Sequence, residues 1–110
     1  MEILNRLHRS KFRSKFNLDE KDRSYLQSKG EKVIKEHAYD FFDKRLKVRL
    51  KKDGKQTPWK GHPVFVAQHA TATCCRKCLE IWHKIPRDKI LSDNELKYCV
   101  NVVMNWIEIQ

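Results

Sequence analysis

The last third of the chain has the sequence pattern of a helix: a capping motif marks its start, and apolar residues recur at helical spacing. Ser92 and Glu95 have the spacing of a capping box, in which each side chain accepts a hydrogen bond from the other residue's backbone N–H. The apolar residues that follow recur at the spacing of one helix face: Leu96, Cys99, Val100, Val103, Trp106 and Ile107. We therefore expect a C-terminal helix over residues 93–109, with Cys99 as a small core residue.

Three further helices are predicted upstream of this one. Asp19 can cap a helix that ends at Gly30. Helical spacing of apolar residues continues from Glu31 to Leu46, and a helix that bears cysteines and histidines is expected over 64–85, before Pro86. A chain of 110 residues can form one compact domain with one core. The prediction is a mainly α domain over 1–110, with about four helices around that core.

Residues 47–63 interrupt the helical pattern. Gly54, Pro58, Gly61 and Pro63 punctuate this stretch, which predicts an irregular basic loop between the second and third helices. Trp59 indicates that the loop docks on the domain. Alternation over residues 47–51 leaves a short hairpin as an alternative.

The positive charge is large and unevenly distributed. The net charge is +10, and residues 44–60 hold eight Lys/Arg against one acidic residue. Residues 1–18, a basic arm or short helix, hold five against one and include a tandem Arg-Ser-Lys-Phe repeat over 9–16. Such segments favour nucleic acid or another phosphate-bearing ligand, with an acidic protein as an alternative partner. The candidate phosphate contacts are Arg9, Lys11, Arg13, Lys15, Lys47, Arg49, Lys51 and Lys52.

The redox environment of the cysteines follows from the expected compartment. No apolar run approaches the ~20 residues of a transmembrane helix, and the first residues do not resemble a signal peptide. We expect a cytoplasmic protein with no membrane partner. Disulfides are rare in that compartment, so the cysteines are interpreted as thiols or metal ligands.

The richest chemistry lies between residues 62 and 83, which hold three of the four cysteines and three of the five histidines. One interpretation is that the cysteines are buried apolar side chains. A second is a zinc site, with candidate ligands His62, His69, Cys74, Cys75 and Cys78. A third is a nucleophile, Cys74 or Cys75, with His69 or His62 as base and Arg76 lowering the thiol pKa.

Helical geometry constrains these interpretations. On one continuous helix the three cysteines share the apolar face, whereas His69, Arg76 and His83 lie on the polar face. A metal or nucleophile site therefore requires a helix that begins late, near Thr71 or Thr73. His62 or His69 could then fold back toward the cysteines.

The basic loop adds candidate ligand-binding residues next to this segment. If the loop folds over the start of the helix, a pocket for an anionic ligand gathers Lys55, Gln56, Thr57, His62, His69 and Arg76. The alternative is a basic loop in solvent.

The central motif resembles a family of short prokaryotic proteins known only as a domain of unknown function. The resemblance rests on Gly54-Lys55-Gln56-Thr57-Pro58, Gly61-His62-Pro63-Val64-Phe65 and Ala67-Gln68-His69-Ala70-Thr71-Ala72-Thr73-Cys74-Cys75-Arg76. It extends over nearly the whole chain, although Lys47-Val48-Arg49 departs from the family's pattern. It implies no particular activity, cofactor or partner, but it does imply that the polar motif belongs to a shared site.

The function that these patterns favour is a small basic binding module for nucleic acid or another phosphate-bearing ligand, with a structural zinc site. The alternative is a small enzyme with a cysteine nucleophile and a histidine base that acts on an anionic substrate.

Overall fold

Helices are the only regular secondary structure in residues 1–48 and 51–110, which the computed structural model describes. Seven helices occur there: α1 (Glu2–His8), α2 (Lys11–Ser14), α3 (Glu20–Lys29), α4 (Glu31–Arg45), α5 (Pro63–Ala70), α6 (Arg76–His83) and α7 (Asp93–Glu108). The mainly α prediction is confirmed. The count exceeds four because the basic arm forms two short helices and because residues 64–85 form two helices rather than one.

The capping signals place the helix ends where the sequence predicts them. Asp19 and Asp22 form a capping box at the start of α3, and Gly30 ends that helix at φ 85°, where a residue without a Cβ is favoured. Ser92 and Glu95 form the capping box of α7. These interactions lie within three residues along the chain, so a local pattern suffices to predict them.

Helix α5 is the centre of the core. All eight of its residues are buried, and it packs against α2, α3, α4 and α7. Helix α7 packs on α4 and α5 through one apolar face, where Cys99 is fully buried as expected. The order of the helices thus places the end of α5, and the turn that follows it, beneath the basic arm.

The predicted single helix over 64–85 is wrong, because the chain leaves the helix at Thr71. The Thr71 hydroxyl donates to the Ala67 carbonyl at 2.7 Å, and the Thr73 N–H donates to the Gln68 carbonyl at 2.9 Å. Ala72 has a φ of 57°, a left-handed conformation that ends the helix. Neither Gly nor Pro marks this turn, so the sequence pattern alone does not predict it.

The loop contains no strand within its described residues 47–48 and 51–63, so the hairpin alternative is not seen there. Arg49 and Leu50 lie outside the described residues. Part of the hairpin alternative falls on them, and Arg49 is one of the candidate phosphate contacts. None of the described helices has the length and apolarity needed to cross a membrane.

Candidate metal centre

Three cysteine sulfurs meet where α5 gives way to α6. The Sγ atoms of Cys74, Cys75 and Cys78 all lie within 4.8 Å of one another. Cys78 Sγ is 3.8 Å from Cys74 Sγ and 3.3 Å from Cys75 Sγ. Two thiolates bound to one tetrahedral zinc, each at about 2.3 Å, lie roughly 3.8 Å apart. The cluster therefore has nearly the sulfur spacing that a bound metal ion requires.

The start of α6 positions two of these sulfurs. Cys75 is the N-cap residue, and its sulfur accepts the N–H of Cys78 at 3.4 Å. The Asp53 carboxylate accepts the first two N–H groups of α6, those of Arg76 at 2.9 Å and Lys77 at 3.0 Å. Asp53 thus satisfies the helix end with a negative charge, as the helix dipole favours, and fixes the direction in which α6 leaves the cluster.

Arg13 brings a positive charge to the sulfurs from the basic arm. Its guanidinium donates to the His69 carbonyl at 2.7 Å, to Cys78 Sγ at 3.2 Å and to Cys74 Sγ at 3.7 Å. The sequence predicts Arg13 as a phosphate contact, but the structure places it against the thiol cluster. Donation from a cation stabilises a thiolate over a thiol.

The protonation states within the cluster differ from one sulfur to the next. Hydrogen bonds from the Cys74 and Cys75 thiols lower the pKa of Cys78, and the Arg13 charge lowers it further. The same hydrogen bonds to Cys75 and Cys78, together with burial, raise the pKa of Cys74. Cys78 is therefore the sulfur whose ionisation these contacts favour, and it is also the most accessible of the three cysteines.

His69 lies near the cluster but is held by other partners. Its Nε2 is 3.1 Å from the carbonyl oxygens of both Thr57 and Pro58, so Nε2 carries the proton. Its ring stacks on Trp59 at a centroid distance of 4.0 Å. Burial lowers the pKa of His69 despite the two carbonyls. Among the described residues Nδ1 is buried without a hydrogen-bond partner, and the imidazole is not one of the clustered ligand atoms.

His62 belongs to a separate aromatic cluster. Its Nδ1 accepts the Val64 N–H at 3.0 Å and so caps α5, and its Nε2 is 3.0 Å from His37 Nδ1. The rings of Tyr25, Phe41 and Phe65 surround it. Burial, and then the charge of His37, lower the pKa of His62 to about 4. His62 is therefore not brought to the cysteines.

The predicted ligand residues of the loop mostly hold the loop in place. Gln56 bonds to Asp53 and to the Gly54 N–H, and the Thr57 hydroxyl donates to the Cys74 carbonyl at 2.8 Å. Both side chains are buried, whereas Lys55 is exposed. These contacts show that the loop covers the start of α6, but of this set only Lys55 presents its charge to solvent.

Arg76 is buried completely, and both of its terminal nitrogens bond to backbone carbonyls. Its terminal nitrogens donate to four carbonyls at 2.8–3.2 Å, two at the end of α4 and two before α7: Leu46, Lys47, Pro86 and Lys89. Its accessible surface is 0%. The guanidinium therefore ties α4, α6 and the approach to α7 together, and these bonds leave it no terminal donor for an anionic ligand.

The enzyme interpretation needs a histidine within hydrogen-bond reach of a cysteine. In the described part of the chain, no imidazole bonds to a cysteine sulfur: His62 and His69 have the partners given above, and His83 bonds to Tyr98 and the Thr71 carbonyl. The arrangement is instead a set of soft donors beside a cation, which suits a thiophilic metal ion.

Two residues at the centre were not anticipated in these roles. The sequence assigns Asp53 no role at this site, and it predicts Arg13 only as a phosphate contact. Their partners lie 23 and 65 residues further along the chain, respectively. Separations of that size leave no periodic signal in a sequence, so only the tertiary structure identifies them.

Comparison with known proteins gives the chain a family but no activity. No solved structure matches it. A family model described as a domain of unknown function matches residues 1–108, in agreement with the resemblance seen in the central motif. The chain therefore belongs to the family Domain of unknown function (DUF4186).

Proposed function

We propose that this protein is a metal-binding module whose ligands are the thiolates of Cys74, Cys75 and Cys78, and that its exposed cations bind a phosphate-bearing polyanion. The observation that carries the metal proposal is the convergence of three sulfurs within 4.8 Å. Cysteines that served only as buried apolar side chains would not need to lie so close together, because an isolated cysteine such as Cys99 packs equally well in the core.

Zinc is the metal that we propose for this donor set. Three thiolates and one Zn²⁺ carry a net charge of −1, and the Arg13 guanidinium next to Cys74 and Cys78 offsets it. Thiols must lose their protons to bind a metal as thiolates, so the affinity for the metal should increase with pH. With three protein ligands a fourth coordination position is free for water or a ligand, unlike the four-ligand structural zinc sites.

The polyanion part of the proposal rests on the cations that remain free for it. Arg9, Lys11 and Lys15 of the arm and Lys55 of the loop are exposed, and the whole chain carries a net charge of +10. Nucleic acid is the polyanion that such a surface favours, through contacts with its phosphates.

The metal proposal is tested by titrating reduced protein with Co²⁺, whose thiolate complexes absorb in the near ultraviolet, and then displacing it with Zn²⁺. We expect about one ion per chain, as for a mononuclear thiolate site. Replacing the accessible ligand in Cys78→Ser should abolish stoichiometric binding at micromolar metal, with the fold checked by circular dichroism.

The matched control is Cys99→Ala, which removes the remaining cysteine from the core face of α7. It should retain one bound ion and the same absorption band. Folded wild-type protein that binds no ion under reducing conditions, or equal loss in the Cys78 and Cys99 variants, would rule the site out.

A further inference from the structure

An exposed tryptophan lies on the surface beside His69. The Trp59 side chain is 62% exposed. One face of its ring stacks on the buried His69, with the ring centres 4.0 Å apart and the planes 16° from parallel. Since His69 stacks on one face and Trp59 is still 62% exposed, much of the remaining ring surface faces solvent. The ring is thus held in a fixed orientation with a flat apolar surface toward solvent.

The basic arm extends this surface with further aromatic rings and with cations. Phe12, 42% exposed, meets Trp59 edge-on at 6.4 Å, and Phe16 lies 6.1 Å from Trp59 in a parallel orientation. Lys15 Nζ is 4.6 Å from the centre of the Phe12 ring, and Lys60, next to Trp59 in the chain, is exposed. We call Phe12, Lys15, Phe16, Trp59 and Lys60 the aromatic–basic surface.

The combination of flat rings and cations selects one class of polyanion. A single nucleic acid strand offers unstacked bases and phosphates within one nucleotide of each other, so one ligand can meet both parts of the surface. A duplex presents its phosphates but keeps its base faces stacked inside. An acidic protein offers carboxylates without a flat ring beside each charge.

We propose that the aromatic–basic surface binds single-stranded nucleic acid, with a base stacked on the open face of Trp59 and flanking phosphates on Lys15 and Lys60. This proposal rests on the polyanion part of the proposed function and specifies its ligand. It also explains why a large apolar side chain is kept in solvent, where its exposure brings no folding energy.

The test compares two probes of equal charge: a fluorescently labelled oligothymidylate of 12 nucleotides, and a strand of the same length made of abasic sugar phosphates. We expect the first to bind more tightly. Trp59→Ala should weaken its binding by roughly 5- to 150-fold, as expected for loss of one stacked base, and should leave abasic binding unchanged. Trp59→Phe, which keeps a ring, should retain most of the affinity.

The control variant is Ile90→Ala, which removes a side chain of similar exposure, 60%, outside the aromatic–basic surface and should change neither affinity. If both probes bind equally and Trp59→Ala has no effect, the stacking proposal is wrong and the polyanion proposal stands. If neither probe binds, both are wrong. Equal weakening of both probes by Trp59→Ala, with unchanged circular dichroism, would also overturn the stacking role.

Discussion

At the residue scale, individual side chains in this protein have environments that their sequence neighbours do not indicate. The three cysteines of residues 74–78 lie together, but the histidines near them in sequence do not join them. Each of these histidines is instead a packed ring with backbone or ring partners. Within the described residues, the clustered side chains that could hold a metal ion are therefore cysteines, without a histidine among them.

The pair formed by His62 and His37 makes folding sensitive to acid. Val64 N–H donates to His62 Nδ1, so neutral His62 carries its proton on Nε2 and donates it to His37 Nδ1. Protonation of His62 would add a proton to Nδ1 and place this N–H opposite the N–H of Val64. The pKa of His62 is about 4 in the folded protein and 6.5 in the ordinary, exposed state.

The resulting prediction is a loss of stability as pH falls. Unfolded His62 takes up a proton below pH 6.5, whereas folded His62 stays neutral until about pH 4. The free energy of unfolding should therefore fall between these values, by about 2 kcal/mol from pH 7.5 to pH 5. His69 and His83, whose pKa values are also lowered by burial, act in the same direction. Urea unfolding at both pH values measures the change.

A comparison with His62→Asn separates the contribution of His62 from the other two. Asparagine can still cap α5 but does not titrate. We expect a shallower pH dependence in this variant, and an unchanged dependence would show that His62 does not contribute.

At the element scale, the loop and the start of α6 act as one unit. Asp53 holds the first N–H groups of α6, and Arg76 holds the carbonyls of the two residues that follow α4, Leu46 and Lys47. A positively charged group at the C-terminal end of a helix is favoured by the helix dipole. The cysteines are presented at a fixed spacing because both ends of this unit are anchored.

Replacement of Arg76 should be severely destabilising. Arg76→Met keeps the length of the side chain but removes the donors of four carbonyls, of which the Leu46 carbonyl lies in a fully buried hydrogen bond. Each lost hydrogen bond costs about 1 kcal/mol, and a buried carbonyl left unpaired costs about 1–3 kcal/mol, so we expect a loss of about 3 kcal/mol or more in the free energy of unfolding. Chemical denaturation measures this loss.

Arg87→Met provides the matched comparison, because Arg87 pairs with Glu80 at 3.2 Å near the surface. A pair with both partners more than a third exposed contributes little, so this variant should lose less than about 1 kcal/mol. Equal losses in the two variants would contradict the role of Arg76 as a tie between elements.

At the scale of the whole molecule, the basic arm is not a free tail. Helices α1 and α2 pack on the domain, Leu4 and Leu7 enter the core, and Arg13 reaches the sulfurs. Docking orients the remaining cations of the arm outward. Arg13 therefore connects the arm, which carries part of the aromatic–basic surface, to the thiol cluster.

This distribution of charge predicts a position-dependent effect of salt on oligonucleotide binding. The triple variant Arg9→Ala, Lys11→Ala, Lys15→Ala should reduce the slope of log affinity against log salt by roughly 2, since each contact to a single-strand phosphate contributes about 0.7. Lys32→Ala, Lys35→Ala, Lys97→Ala removes three exposed cations from α4 and α7 instead and should leave the slope unchanged. Identical slopes for the two variants in polarisation titrations would contradict a localised binding surface.

The sequence by itself determined the mainly α class and the bounds of α3, α4 and α7. Their caps and apolar periods depend on interactions between residues at most four positions apart, which a local pattern records. It also singled out residues 62–83 as the segment of the candidate site and correctly placed Cys99 in the core.

Only the tertiary structure decided how the side chains of that segment are arranged. The end of α5 at Ala70 involves the hydrogen bond from the Thr71 hydroxyl to the Ala67 carbonyl, and no glycine or proline marks this position in the sequence. The selection of Cys74, Cys75 and Cys78 without His62 or His69, and the placement of Arg13 against them, depend on contacts between distant parts of the chain. The physical reason is that metal ligands and buried ions are defined by proximity in space, whereas helix periods and caps are defined by proximity along the chain.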